Sequence, residues 1–252
     1  MQDFVTQALG REGGMLGTWV KIPSIESVQM LARAGFDFVV IDMEHAPLSL
    51  QRAGELVFCA QAMGMAALVR MADSTATTIQ PLLDAGADGL LVPRVTSLDT
   101  AREVTRRMVF APAGQRGLGT TSRAGEWGTG DMQAYLHRGD SQCARFIQLE
   151  DWQSLEAAAQ FAALDHVNGI FIGHGDLYLS SGKPAADPAV RALTAQVLAA
   201  TKEAGVMSAA AAATPDDARR YLGMGFTLVM VSNDLTLFCN AAAQAVEAVR
   251  GG

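Results

Sequence analysis

The chain has 252 residues, half of them apolar and 18% charged, a balance that excludes an intrinsically disordered protein and suits one buried core. Nineteen Lys and Arg against 26 Asp and Glu give a formal charge of −7, so no nucleic-acid binder driven by phosphate contacts is expected. No apolar run approaches the roughly 18 residues of a membrane span, MQDFVTQALGREGGM lacks the order of a secretory leader, and Cys59, Cys143 and Cys239 form no C-x-x-C; a soluble, reduced, cytoplasmic setting without membrane contact is expected.

Strands are expected over 15–22, 36–42, 66–71, 89–95, 145–150, 169–173, 207–212 and 227–232. Several are nearly continuous apolar runs, among them FVVID, LLVP, GIFIG and LVMV, as in parallel strands buried on both faces. Helical patterns fill the gaps. Ser24 precedes one that stops at Gly35, and Asp73-Ser74 precedes one that stops at Gly86. Ser97 opens TAREVTRRM, Asp151 opens WQSLEAAAQFAAL, and Thr214-Pro215 opens DDARRYLGMG. Eight strands alternating with helices predict an α/β fold, a (β/α)8 TIM barrel formed as a single domain over 1–252. The stretch 110–143, with APAGQRGLG and TSRAGEWGTG, is too long for a plain connection and is expected to carry function or subunit contacts.

In such a barrel the chemistry sits where strands end. The polar groups found there are Asp42-Met43-Glu44-His45, Arg70, Arg94, Gln148 and Glu150, His174-Gly175-Asp176, and Asn233-Asp234. Glu150 and Asp176 on neighbouring strands would repel unless a cation or proton lies between them, which suits Mg²⁺ or Mn²⁺ better than zinc; either carboxylate alone reads more readily as a helix cap, and the pair reads equally either way. His45 has the pKa range for proton transfer, with Asp42 or Glu44 to orient it, although a lone loop histidine often has no role. Arg70 ends a buried strand and needs an anionic partner, either a salt bridge to Glu44 or Asp234 or a substrate oxyanion. Of Lys21, Lys183 and Lys202, only Lys21 stands where an imine-forming lysine would have to be. GHGDL and QRGLG lack the spacing of nucleotide loops, and there is no G-x-S-x-G elbow.

The segments GTWVKIPSIESVQMLARAGFDFVVIDMEHAPLS, LLDAGADGLLVPRV, APAGQRGLG, FIQLE and GIFIGHGDL, in that order, resemble the HpcH/HpaI aldolases, class II metal-dependent pyruvate aldolases. That resemblance implies reversible cleavage of a 4-hydroxy-2-oxo acid to pyruvate and an aldehyde, a carbon–carbon lyase activity met in aromatic-compound catabolism. It implies a divalent cofactor (Mg²⁺, Mn²⁺ or Co²⁺) held by Glu150 and Asp176. His45 would be the base, supported by Asp42, with Asp84 approaching it from a neighbouring subunit. Arg70 would stabilise the enolate, and Gln148 with the N–H groups of Gly175 and Asp176 would hold the pyruvate carboxylate. The partner is then another copy of the chain, in a homo-oligomer, commonly a hexamer (a trimer of dimers) with terminal helices exchanged. His174-Gly175 stands where Pro-Ala is frequent, which places a side chain at the pocket rim. Alternatives are an acyl-CoA ester lyase of the malyl-CoA type, a phosphate-binding isomerase barrel and a non-catalytic metal-binding barrel.

Overall fold

In the computed structural model, which describes residues 3–251, eight parallel strands pair each with the next and β8 closes on β1. They are β1 (Met15–Val20), β2 (Phe38–Asp42), β3 (Ala66–Arg70), β4 (Gly89–Val92), β5 (Ala144–Leu149), β6 (Gly169–Ile172), β7 (Met207–Ala212) and β8 (Leu228–Asn233). The expected TIM barrel is therefore present, as one domain. Helix α1 (Phe4–Gly10) precedes the barrel; α2 (Ile25–Ala34), α3 (Leu50–Ala62) and α4 (Ala76–Asp84) follow β1, β2 and β3. After β4 come α5 (Leu98–Arg106) and α6 (Met132–His137), and after β5 come α7 (Trp152–Glu156) and α8 (Ala158–Ala162). Helices α9 (His174–Ser181) and α10 (Pro188–Ala204) follow β6, α11 (Pro215–Met224) follows β7, and α12 (Asp234–Arg250) ends the chain.

The caps anticipated at Ser24, Ser97, Asp151 and Thr214 each accept a backbone N–H of the following turn, and Gly35 and Gly225 close α2 and α11 in the left-handed region. Three expectations shift. The strand expected to reach residue 95 stops at Val92, because Pro93 has no N–H for the ladder and Arg94 turns to φ 56°. The helix opened by Asp151 is two, broken at Ala157. The cap expected at Asp73-Ser74 moves to Thr75, while the Asp73 carboxylate accepts from the Thr75 N–H and from the Thr75 and Thr78 hydroxyls.

Two apolar layers follow from the alternation of strand side chains. Outward residues such as Val39, Ile41, Val69, Ile147 and Ile170 pack against the helices. Inward residues fill the barrel: Met15, Phe38, Leu68, Phe146, Phe171, Met207 and Leu228. Gly17 leaves room for this layer, since a Cβ there would lie 2.5 Å from the Phe38 ring. Phe4, from α1, packs on Phe38 with ring centroids 6.4 Å apart and closes the N-terminal end. One layer nearer the C-terminal rim the inward positions turn polar, at Asp42, Arg70 and Gln148.

The 110–143 stretch carries a single-turn 3₁₀ segment at Glu126–Gly128, α6 and a π turn over Arg138–Gln142. It folds back to α4, where Gly117 N–H donates to Gln80 and Ala124 N–H donates to the Asp84 carbonyl. Residues 235–250 of α12 are all exposed, Leu235, Leu237, Phe238, Val246 and Val249 included, so this helix buries no face against its own barrel.

Candidate active site

The C-terminal rim encloses a cavity of about 590 Å³ lined by Trp19, Lys21, Arg70, Gln148, Gly173 and Asp176 on one side and by His174, Asp217, Arg220 and Tyr221 on the other. Two of the lining residues, Lys21 and Arg70, pair with the fully buried Asp42. The β2–β3 register sets Asp42 directly opposite Arg70, and the guanidinium meets the carboxylate through Nε to Oδ1 at 2.9 Å and Nη2 to Oδ2 at 2.7 Å. Lys21 Nζ donates to the same Oδ2 at 2.6 Å. Burial alone would raise the Asp42 carboxyl; the bonds and charges of Arg70 and Lys21 outweigh it and hold it at about 2. Arg70 also stacks on the Trp19 ring, 4.2 Å from its centroid, and Nη1 lies 3.4 Å from Glu44 Oε2.

His45 stands just beyond β2, half-exposed, with Nε2 3.7 Å from Glu44 Oε2. Asp42 does not reach its ring, contrary to the support expected of it. Asp42 Oδ1 instead accepts the backbone N–H groups of Glu44 and His45 at 3.1 and 3.2 Å, so it shapes the loop while Glu44 faces the imidazole. Glu44 lies in that loop, beyond the end of β2.

The structure places Asp176 within electrostatic reach of Glu150. Glu150 is buried at the end of β5, and Asp176 is exposed in the first turn of α9. Burial raises the Glu150 carboxyl, hydrogen bonds from Gln148 and the Arg94 N–H oppose that, and the charges of Asp176 and Glu44 push it up further. Glu150 Oε1 accepts from the Arg94 N–H at 2.8 Å, which explains the left-handed backbone of that residue, and Oε2 meets Gln148 Nε2 in a very short contact. Gln148 Oε1 is buried without a partner.

Asp84 is the last residue of α4. Helices run back against the strands, so it lies at the opposite rim from His45, where Gln80 Nε2 donates to it at 2.8 Å and Arg116 Nη2 is 3.6 Å away. Asp234 does not pair with Arg70. It accepts from the Lys21 and Ile22 N–H groups and from the Ser27 hydroxyl, pinning the loop after β1. Lys21 is ion-paired with Asp42, and Trp19, which supports Arg70, went unnoticed although it continues the inward period of Met15 and Gly17. His174 lines the rim but turns its ring onto Tyr221, with centroids 5.6 Å apart and planes 12° off parallel. Burial, helped by the charge of Arg220, lowers its pKa to about 4.

Residues 15–241 match the family model described as HpcH/HpaI aldolase/citrate lyase. The chain belongs to that family. It is 32% identical over 246 residues to a 4-hydroxy-2-oxo-heptane-1,7-dioate aldolase of Escherichia coli, covering 96% of this chain and 93% of that protein. It is 27% identical to a 2-dehydro-3,6-dideoxy-6-sulfogluconate aldolase of Pseudomonas putida, over 96% and 95%. The crystal structure of an HpcH/HpaI aldolase/citrate lyase family protein from Burkholderia cenocepacia J2315 superposes with a TM-score of 0.89 at 30% identity, over 97% and 98%. Membership makes the chain a carbon–carbon lyase of an aldolase family that works with a divalent metal.

The residues fit such an ion. Glu150 and Asp176 would supply hard oxygens to it, and Gln148, whose side chain meets Glu150, has a buried Oε1 without a partner. The approach is kept open at Gly173, where a Cβ would lie 2.6 Å from Glu150 Cβ and 2.9 Å from Oε2. Among the described residues no three His, Cys, Asp or Glu converge, so an all-protein cage is absent and solvent and substrate oxygens would complete the shell, as is usual for Mg²⁺.

Proposed function

We propose that the chain is a class II aldolase that reversibly cleaves a 4-hydroxy-2-oxo acid into pyruvate, or a related 2-oxo acid, and an aldehyde. The observation that carries this reading is a buried Glu150 whose ionisation the charge of the exposed Asp176 opposes, with Asp176 lining the same cavity as the rigid cation at Arg70. A divalent ion held there, Mg²⁺, Mn²⁺ or Co²⁺, would supply Lewis acidity toward the two oxygens of a 2-oxo acid.

The protein's own groups account for the rest. Arg70, locked by Asp42 and Trp19, donates to the keto oxygen as negative charge gathers there during cleavage between C3 and C4; a well-placed donor of this kind contributes about 3–4 kcal/mol. Lys21 and Arg70 share the Asp42 carboxylate, so neither cation is neutralised by a carboxylate of its own there. Gln148 and the first-turn N–H groups of Gly175 and Asp176 receive the carboxylate, since a helix N-terminus favours anions. His45 takes the proton from the 4-hydroxyl, with Glu44 facing its ring to stabilise the cation that forms.

The same reading includes a homo-oligomer, a hexamer built as a trimer of dimers, in the cytoplasm. Supporting it are the unpacked apolar side chains of α12 and the position of Asp84, which can serve His45 only from another copy. Breakdown of products from aromatic compounds is the metabolic setting that the resemblance favours.

Incubation of 4-hydroxy-2-oxo acids with the purified protein, with and without chelator, tests the reading. Pyruvate release that stops with chelator and returns with Mg²⁺, Mn²⁺ or Co²⁺ is expected. Undiminished turnover in chelator would remove the ion from the scheme.

A further inference from the structure

We infer that His174 is a positioning residue that fixes the first turn of α9, and with it the Asp176 carboxylate and the adjacent amides, over the cavity. The inference rests on the reading of Asp176 as a ligand and extends it to a residue outside that set.

The turn needs an anchor. Gly173 at the N-cap has no side chain to hold the first N–H groups. Gly175 is exposed, and a Cβ there would meet nothing within 4 Å; Asp176 is exposed as well. The next packed side chain is Leu177. Between Gly173 and Leu177, only His174 ties the chain to its surroundings.

It does so in a single way. The ring stacks on Tyr221 of α11, and Nε2 lies 3.1 Å from Thr194 Oγ1 on α10. The Thr194 hydroxyl donates its own proton to the Val190 carbonyl at 2.8 Å, so toward His174 it can only accept. The imidazole is therefore neutral with its proton on Nε2, and Nδ1 is a bare acceptor, buried without a partner. A ring flipped about Cβ–Cγ would set Cε1 against the Thr194 oxygen and lose the hydrogen bond. Stack and hydrogen bond thus define one orientation and clamp α9 between α10 and α11, two residues before the carboxylate that faces Glu150.

The test is Mn²⁺ binding to the whole protein without substrate, read by the electron paramagnetic resonance of free Mn²⁺. His174→Phe keeps the stack and loses the bond to Thr194; Thr194→Val removes the acceptor; Thr194→Ser retains it. Supports of metal ligands typically cost 10–100-fold in affinity when removed, so about tenfold weaker Mn²⁺ binding is expected in His174→Phe and Thr194→Val, with near wild-type binding in Thr194→Ser. The threonine pair decides the matter even where His174→Phe fails to fold. Unchanged affinity in both His174→Phe and Thr194→Val overturns the inference alone, as does an equal loss in Thr194→Ser and Thr194→Val, which would assign the effect to helix packing. A wild-type protein that binds no Mn²⁺ overturns both the inference and the reading beneath it.

Discussion

Asp42 grips Arg70 through both carboxylate oxygens, at 2.9 and 2.7 Å, from the position directly across the β2–β3 ladder. The pairing removes the rotational freedom a long arginine would otherwise have, and a third bond from Lys21 spends what remains of the charge. The carboxylate is structural support for Arg70, the cation that meets substrate on the proposed reading.

Asp42→Asn leaves Arg70 and Lys21 beside a neutral amide in a buried site. Breaking one partner of a buried pair costs about 3–5 kcal/mol, so the urea midpoint should fall by the corresponding amount. A midpoint equal to wild type would show that solvent or Glu44 replaces Asp42 at no cost.

Acid should act on the same group. The folded-state pKa of about 2 lies below the ordinary 3.8, so Asp42 contributes stability above pH 4 that is lost as pH falls from 4 toward 2. The shift corresponds to about 2 kcal/mol. Unfolding free energy measured across this window should fall more steeply in wild type than in Asp42→Asn.

Glu150 has the opposite sign. A raised carboxyl destabilises the fold above its pKa, where burial and the charges of Asp176 and Glu44 oppose ionisation. Glu150→Gln should therefore raise the melting temperature of cation-free protein at neutral pH while abolishing Mn²⁺ binding. Its new amide would donate to Gln148 Oε1, which has no partner now. A lower melting temperature in the variant would mean that the ionised carboxylate is held more favourably than its surroundings indicate.

His45→Ala should leave folding unchanged, since the ring is half-exposed and its backbone N–H, which Asp42 holds, is retained. Turnover should drop by about 10²–10⁴-fold if the imidazole carries the proton. Thermal melts beside steady-state rates on a 4-hydroxy-2-oxo acid check both halves, and an unaltered rate would eliminate His45 as the base.

Much of this was legible in the residues. The barrel showed in eight apolar runs because parallel strands are buried on both faces, and the mouth showed where Asp42, Arg70, Gln148 and Glu150 interrupt those runs. Pairing inside the mouth was not legible. Asp42 follows the hydrophobic run that leads to His45, yet its partners are Arg70, at the end of β3, and Lys21, just beyond β1; a strand's period tells which way a side chain points, while register and reach decide what it meets. His174 was legible only as a rim residue, because its contacts lie 20 and 47 positions downstream, on helices whose azimuth no local pattern encodes.

Phe4 and Phe38 plug the far end of the barrel, so the cavity is a vessel with one opening. Traffic must then be sequential. On the proposed reading the fragment seated deepest is the 2-oxo acid at Gln148, and it would depart after the outer aldehyde has cleared the doorway. In the cleavage direction pyruvate should accordingly inhibit in competition with substrate, and the aldehyde should not.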